Sequence, residues 1–147
     1  MKRHTFALGL VILAGWLLAS CTTGGSSGGS SGTFLEYQRT GGIAGFSDHL
    51  VISDGGRANL TRKVVGTGSY EFTVDGDTMK ELQSRLDKAG FSKLRDEYRP
   101  SQPVSDDFEY VITYKGKTVR TSGAAIPESL RPVLELLGQI VESQGAP

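Results

Sequence analysis

Tyr70-Glu71-Phe72-Thr73-Val74-Asp75-Gly76-Asp77-Thr78-Met79-Lys80-Glu81-Leu82 decides the fold class, because the apolar period changes within it. Up to Val74 the apolar residues recur every second position. Tyr70, Phe72 and Val74 share one face, with Glu71 and Thr73 opposite, the pattern of a strand covered on one side. From Met79 onward the spacing is helical. Met79, Leu82, Leu86 and Ala89 form one stripe, and Lys80, Glu81, Arg85 and Lys88 point away from it. Asp75 or Asp77 offers a carboxylate to the orphan N–H groups of the first turn, and Gly90 stands where a helix ends.

Toward the N-terminus three more strands precede this switch. Phe34 to Arg39 alternates, His49 to Ser53 follows, and Asn59 to Val65 returns after the turn signal Asp54-Gly55-Gly56. Thr40 to Gly45, with three glycines, breaks the first of them from the second. Toward the C-terminus, Phe91 and Leu94 pack under the helix end, and Arg95 to Asp107 reads as a long surface loop. Phe108, Tyr110, Ile112 and Tyr114 alternate with Glu109, Val111 and Thr113 in a fifth strand. Lys115-Gly116-Lys117 turns it into a sixth, Thr118 to Ser122. Pro127 opens a last helix with the stripe Leu130, Val133, Leu134, Leu137, Ile140 and Val141. The expectation is an α+β domain: a mostly antiparallel sheet of five to six strands, with two amphipathic helices packed on one face.

The N-terminus carries an address rather than a fold. Lys2, Arg3 and His4 precede the apolar run Phe6 to Ala19, which is 14 residues long. That suits a signal h-region and is short of the roughly 20 residues of a membrane-spanning helix. Leu18-Ala19-Ser20-Cys21 closes it as a bacterial lipobox, with Cys21, the sole cysteine, as the lipidation site. Residues 1–20 are then the signal peptide. Residues 21–32 are the lipidated cysteine and a Gly/Ser tether with a reach of roughly 15–18 Å, and residues 33–147 are one domain. Two acyl chains on Cys21 suffice for stable anchoring. The implied location is the bacterial cell envelope. That means the outer membrane if the host has two membranes, since Thr22 and not Asp follows the cysteine, and otherwise the outer face of the cytoplasmic membrane.

Composition excludes several activities. Of 16 basic and 16 acidic residues the signal holds Lys2 and Arg3, so the mature chain carries a net charge of −2 and no basic run. Nothing there suits nucleic acid. One mature histidine, His49, and a lipidated cysteine do not assemble a zinc site. Asp75-Gly76-Asp77 lacks the rest of a calcium-ligand series, and Gly66-Thr67-Gly68 lacks a phosphate loop's third glycine. Asp106, Asp107 and Glu109 form the densest acidic group, but a proline-rich loop solvates such charges. The Tyr and Phe residues of the strands read as core. No cofactor, metal or catalytic residue is expected, and the domain reads as non-enzymatic.

Four short motifs in order carry a resemblance. They are Arg39-Thr40-Gly41-Gly42-Ile43-Ala44-Gly45 after the first strand and the helix-ending Leu82, Leu86, Ala89, Gly90, Phe91 string. Asp107-Phe108-Glu109-Tyr110 then leads into the fifth strand, and Ile126-Pro127 with Leu130-Arg131-Pro132 opens the last helix. Together they resemble the emfourin family, small bacterial inhibitors of thermolysin-like metalloproteases such as protealysin, over about Phe34 to Ile140. The resemblance implies the fold, and inhibition of an extracytoplasmic metalloprotease. The alternative is an envelope lipoprotein that binds another protein or a small ligand without inhibiting a protease. The loops free for contact are Gly41 to Ser47 and Pro100 to Asp107. Gly41, Gly42, Ile43, Gly45, Asp106 and Asp107 are the partner-binding candidates, although the glycines also suit a tight bend.

Replacing Cys21 with serine should release the chain from the membrane fraction and leave the fold of residues 33–144 unchanged. Fractionation with and without detergent checks this, and membrane retention of the Cys21→Ser chain contradicts the lipobox.

Overall fold

A computed structural model describes residues 32–64 and 66–144; Cys21 and the rest of residues 1–31 lie outside the described residues. Seven strands form one sheet: β1 (Thr33–Gly41), β2 (Phe46–Ser53), β3 (Arg57–Lys63), β4 (Gly68–Thr73), β5 (Glu97–Tyr98), β6 (Phe108–Tyr114) and β7 (Lys117–Ser122). Their order is β4-β3-β2-β1-β6-β7-β5. The α+β class is as expected, but the sheet is larger and mixed. The added strand, β5, lies inside the segment read as loop and runs parallel to β7, pairing Glu97 with Arg120 and Tyr98 with Thr121. Two residues flanked by charges and Pro100 carry no usable periodicity, so only the exposed edge of β7 fixes their conformation.

Helix α1 (Gly76–Lys88) begins at the change of period. Asp75 caps it, its side chain accepting from the N–H groups of Asp77 and Thr78, and Gly90 follows the C-cap at φ 61°. Helix α2 (Arg131–Ser143) starts later than expected. Pro127 instead precedes a 3₁₀ turn, Glu128–Leu130, and Pro132 takes the favoured position inside the α-helix. The expected stripe of α2 is buried, and Leu136 is buried with it.

Strand alternation sorts the sheet into two unlike faces. Leu35, Tyr37, Leu50, Ile52, Ala58, Leu60, Ile112, Tyr114 and Val119 face the helices and form the core with Leu82, Leu86, Val133, Leu137 and Val141. The strand aromatics belong to this side: Tyr70, Phe72 and Tyr110 pack against the core, and Tyr37 stacks on Tyr110 at 6.5 Å. The opposite face carries Gln38, Thr40, Ser47, His49, Asn59, Thr61, Ser69 and Glu71.

Toward one end of the sheet the core-facing row becomes ionic. Arg39, Asp48 and Arg62 are directly opposed across β1, β2 and β3. Asp48 is 1% exposed and Arg62 5%. Arg39 donates Nε and Nη2 to Asp48 Oδ2 at 3.0 and 2.6 Å, and Arg62 donates Nε to Oδ1 at 3.0 Å. Arg62 Nη1 also reaches the carbonyl of Val141, and Arg39 Nη1 lies 3.7 Å from Glu142. Both cations therefore sit at the C-terminal end of α2, where the helix carbonyls favour positive charge.

Asp48→Asn should destabilise the domain by about 3–5 kcal/mol, because Arg62 would remain buried without its counter-charge. Replacing Arg39, Asp48 and Arg62 together by Met, Leu and Met should cost far less or stabilise. Urea unfolding of both variants measures the contrast.

Candidate functional site

The hairpins give the domain two poles. At the entry pole Gly32 leads into β1, beside the β2–β3 turn at Asp54 and the β6–β7 turn at Lys115-Gly116. At the other, the loop pole, lie the β1–β2 turn, the β3–β4 turn, the start of β6 and the end of β7. The segment from Tyr98 to Phe108 begins and ends at the loop pole too.

The structure brings the two candidate loops of the sequence together there. The Gly42 N–H donates to the carbonyl of Asp107 at 3.3 Å, and the Gly45 N–H donates to Gly42 O at 3.0 Å, closing the turn. Gly41 ends β1 at φ 115°, and a methyl group on it would stand 2.2 Å from Asp107 O; one on Gly42 would stand 2.8 Å from the Phe108 ring. These glycines thus permit both a positive φ and a close approach to the next strand. Beneath the turn the rings of Phe46 and Phe108 lie 5.9 Å apart, and the Arg39 guanidinium lies 5.8 Å from the centre of Phe108. Ile43, at the tip, is 90% exposed.

Asp107 is a pinned residue, not a free one. Its Oδ1 accepts from the Phe108 N–H at 2.8 Å and its Oδ2 from the Ala124 N–H at 3.1 Å. Desolvation pushes its pKa up, but the Ser122 hydroxyl and the N–H groups of Ala124, Phe108 and Gly123 outweigh that and hold it below the ordinary carboxylate range. The Ser122 hydroxyl acts by proximity, since its geometry falls outside a regular hydrogen bond. Asp106 is exposed at φ 60°. Arg39 is engaged with Asp48, Arg99 with Glu97 and Arg120 with Glu109, and the exposed Lys63 at the end of β3 adds a further cation at this pole. A cleft of about 400 Å³ lies alongside, walled by Pro100, Pro103, Val104, Phe108 and Asp107.

Sequence reasoning missed two further exposed apolar residues at this pole. Val104, in the long loop, is 52% exposed, and Val64, in the β3–β4 turn, is 47% exposed. Val64 sits at φ 86°, a strained value for a β-branched residue, held by hydrogen bonds of its N–H and carbonyl with Thr67 Oγ1. The third strand, expected to run from Asn59 to Val65, ends at Lys63, which puts Val64 in the turn.

The acid–base candidates lie apart from one another. His49 is in the middle of β2 rather than at its edge, on the polar face, with Nε2 2.8 Å from Glu36 Oε1. Hydrogen bonds from Gln38 and His49 lower the Glu36 pKa. Glu109 faces Arg120. Among the described residues no three His, Cys, Asp or Glu side chains are grouped to hold a metal ion, and no helix is long and apolar enough to cross a membrane.

Residues 47–141, about two thirds of the chain, match the model of the family described as "Domain of unknown function (DUF6438)". The chain therefore belongs to that family. The match runs from β2 through α2, so β1 and the Gly41–Gly45 turn precede it. Comparison with curated proteins gives no match.

The Asp107 contacts make a pH prediction. A folded pKa held below its unfolded value adds stability above the ordinary carboxylate pKa, about 4, and that contribution is lost as pH falls through the lower folded value. The wild type should therefore lose stability below about pH 4. Asp107→Asn should be less stable than wild type at pH 7 and should show a shallower fall. Urea midpoints across pH 7 to pH 3 test both statements.

Proposed function

We propose that this domain is a non-enzymatic protein-binding module, held at a bacterial membrane through lipid on Cys21, that meets its partner with the loop pole. The observation that carries the reading is the placement of exposed apolar side chains. Ile43, Val64 and Val104 are the large exposed hydrophobics of the described residues, and all three lie at the loop pole. Exposed apolar groups scattered singly need no explanation; the occurrence of all three at one end supports a contact surface there.

The placement of the chain entry agrees with this. Gly32 precedes β1, and the nine residues of β1 separate it from the Gly42–Gly45 turn. At about 3.3 Å per residue that is roughly 30 Å. Gly32 thus enters at the pole opposite the loops, which leaves the loop pole unobstructed by the chain entry. The open sheet face is a poorer candidate: it is polar, and the strand rings that could stack on a ligand are turned to the helices.

The concrete form we favour is inhibition of an extracytoplasmic thermolysin-like metalloprotease, as the emfourin resemblance implies. A rigid loop pole needs no catalytic group to obstruct a cleft, and its prior order reduces the entropy lost on binding.

The test uses the soluble mature chain, residues 21–147 with Cys21→Ser, against several thermolysin-like proteases. Residual activity should fall at micromolar inhibitor or below. Full activity throughout would remove protease inhibition. Recovery of a cell-wall or transport assembly by the tethered form, without a protease, would then favour the other binding reading.

A further inference from the structure

We propose that the free edge of β4 is a strand-docking site. It takes an extended peptide segment of a partner as an eighth strand, with apolar residues at every second position around a central basic residue. This stands on the sheet alone and is independent of the loop pole and of any protease.

The two edges of the sheet are unlike. β5, at one end of the order, has two residues and is followed two positions later by Pro100, so it offers almost no ladder to another chain. β4, at the other end, has six residues, no proline, no lysine and no irregularity in its pairing with β3. The register tells which of its backbone groups are free. The Val74 N–H donates to Gly56 O at 2.8 Å, and the next pair along is Thr73 with Arg57. Bonded and non-bonded pairs alternate in an antiparallel ladder, so Tyr70 and Phe72 bond to β3, whereas Ser69, Glu71 and Thr73 turn their backbone groups outward. Among the described residues no backbone group meets those three. The edge thus presents a regular row of N–H donors and carbonyl acceptors, the template on which another strand adds.

A hollow beside the edge supplies the side-chain site. It holds about 230 Å³ and is walled by Phe72, Val74 and Thr78 on one side and by Leu136, Ile140 and Gln144 on the other. No residue of β3 lines it, so it opens outward past β4. An eighth strand about 4.8 Å from β4 would send every second side chain into this space beneath α2. Leu136 and Ile140 are 6% and 7% exposed, and that remnant would be covered. Apolar residues therefore belong at the positions opposite Tyr70 and Phe72.

Charge sets the other face of the added strand. Glu71 lies in the middle of the edge and points to the open face, with Asn59 as its neighbour across β3. The cations on that face nearby are Arg57 and Lys63, at the two ends of β3 and one strand further in. On the helix side Asp75 caps α1 and Asp77 pairs with Lys80. A basic residue opposite Glu71 lies closer to that carboxylate than to either cation of β3.

Two other occupants fit less well. Residues 22–32 hold only Thr, Gly and Ser and have nothing to place in the hollow. A second copy docked through its own β4 about a two-fold axis would set its Glu71 opposite or diagonal to this one, a like-charge pair on one face.

The test titrates a synthetic peptide, valine alternating with threonine around one central lysine, into the isotope-labelled soluble mature chain (residues 21–147, Cys21→Ser). The Ser69, Glu71 and Thr73 amide resonances should shift saturably, and these amides should exchange with solvent at least about ten-fold more slowly. The Ile43 amide should not respond. Methylating the lysine and threonine nitrogens of the peptide, which face β4, should weaken binding at least about ten-fold, whereas methylating the valine nitrogens should change it by less than about two-fold. Serine in place of the valines should also cost at least about ten-fold. Glu71→Lys, an exposed change, should weaken the lysine peptide a few-fold and favour the same peptide with a central glutamate. No amide shift at about 1 mM peptide overturns the site. Equal loss from the two methylation patterns overturns strand addition. Protection of the same three amides without peptide, together with a doubled mass in sedimentation, gives the edge to a second copy and overturns the peptide occupant.

Discussion

The structure depends on one buried carboxylate. Asp48 is enclosed by Arg39 and Arg62 on the face of the sheet that packs against the helices. A charge in that position is tolerable only with its partners in place. The requirement sets geometry as well as energy. The three residues are opposed across adjacent strands, so a slip of one position in either hairpin would turn a charged side chain to the wrong face and an apolar one to water. The ionic row thus acts as a register pin. It lies at the end of the sheet where an apolar row would leave the β1–β2 turn on unspecific packing.

From that pin the loop pole is built outward in layers. Arg39 stands under Phe108, Phe108 under Phe46 and the glycine turn, and Asp107 holds the turn from the side. Arg39 and Arg62 also reach the last turn of α2, so the helix end and the turn share the same two cations. Each contact holds the glycine turn in place without covering its tip. The outcome is an apolar side chain in water on a well-supported backbone, the reverse of the usual combination of exposed residue and loose loop.

What the residues disclosed in advance follows their periodicity. The α1 stripe and its Asp75 cap, the α2 stripe and the alternating strands β4 and β6 are long local patterns, and local physics settles them. β5 escaped because two residues have no period and owe their conformation to the edge of β7. The start of α2 was misplaced because Pro127 suits a 3₁₀ turn as well as an α-helix, and Pro132 is equally fit for the first α turn. The ion row was legible in principle: Arg39 is in phase with Leu35 and Tyr37, and Arg62 with Ala58 and Leu60. Beginning the second strand at His49 left Asp48 outside it and hid the third member. The meeting of Gly41–Gly45 with Asp106–Asp107 was beyond any local pattern, since it requires β6 to pair with β1 across the whole chain.

The family match divides the loop pole in a way that bears on its role. Asp48, Arg62, Asp107, Phe108 and the end of α2 fall inside residues 47–141, whereas Arg39 and the Gly41–Gly45 turn precede them. The frame that supports the turn is therefore part of the span on which family membership rests, and the turn is not. The tip is joined to this frame by the Gly42 N–H donating to Asp107 O, whereas the Gly45 N–H donates to Gly42 O within the turn itself. A substitution at position 43 would leave the buried charges below undisturbed, since the Ile43 side chain is 90% exposed. Family membership thus extends to the Asp48–Arg62 part of the frame and to Asp107 and Phe108, while the exposed turn they support lies before the matched span.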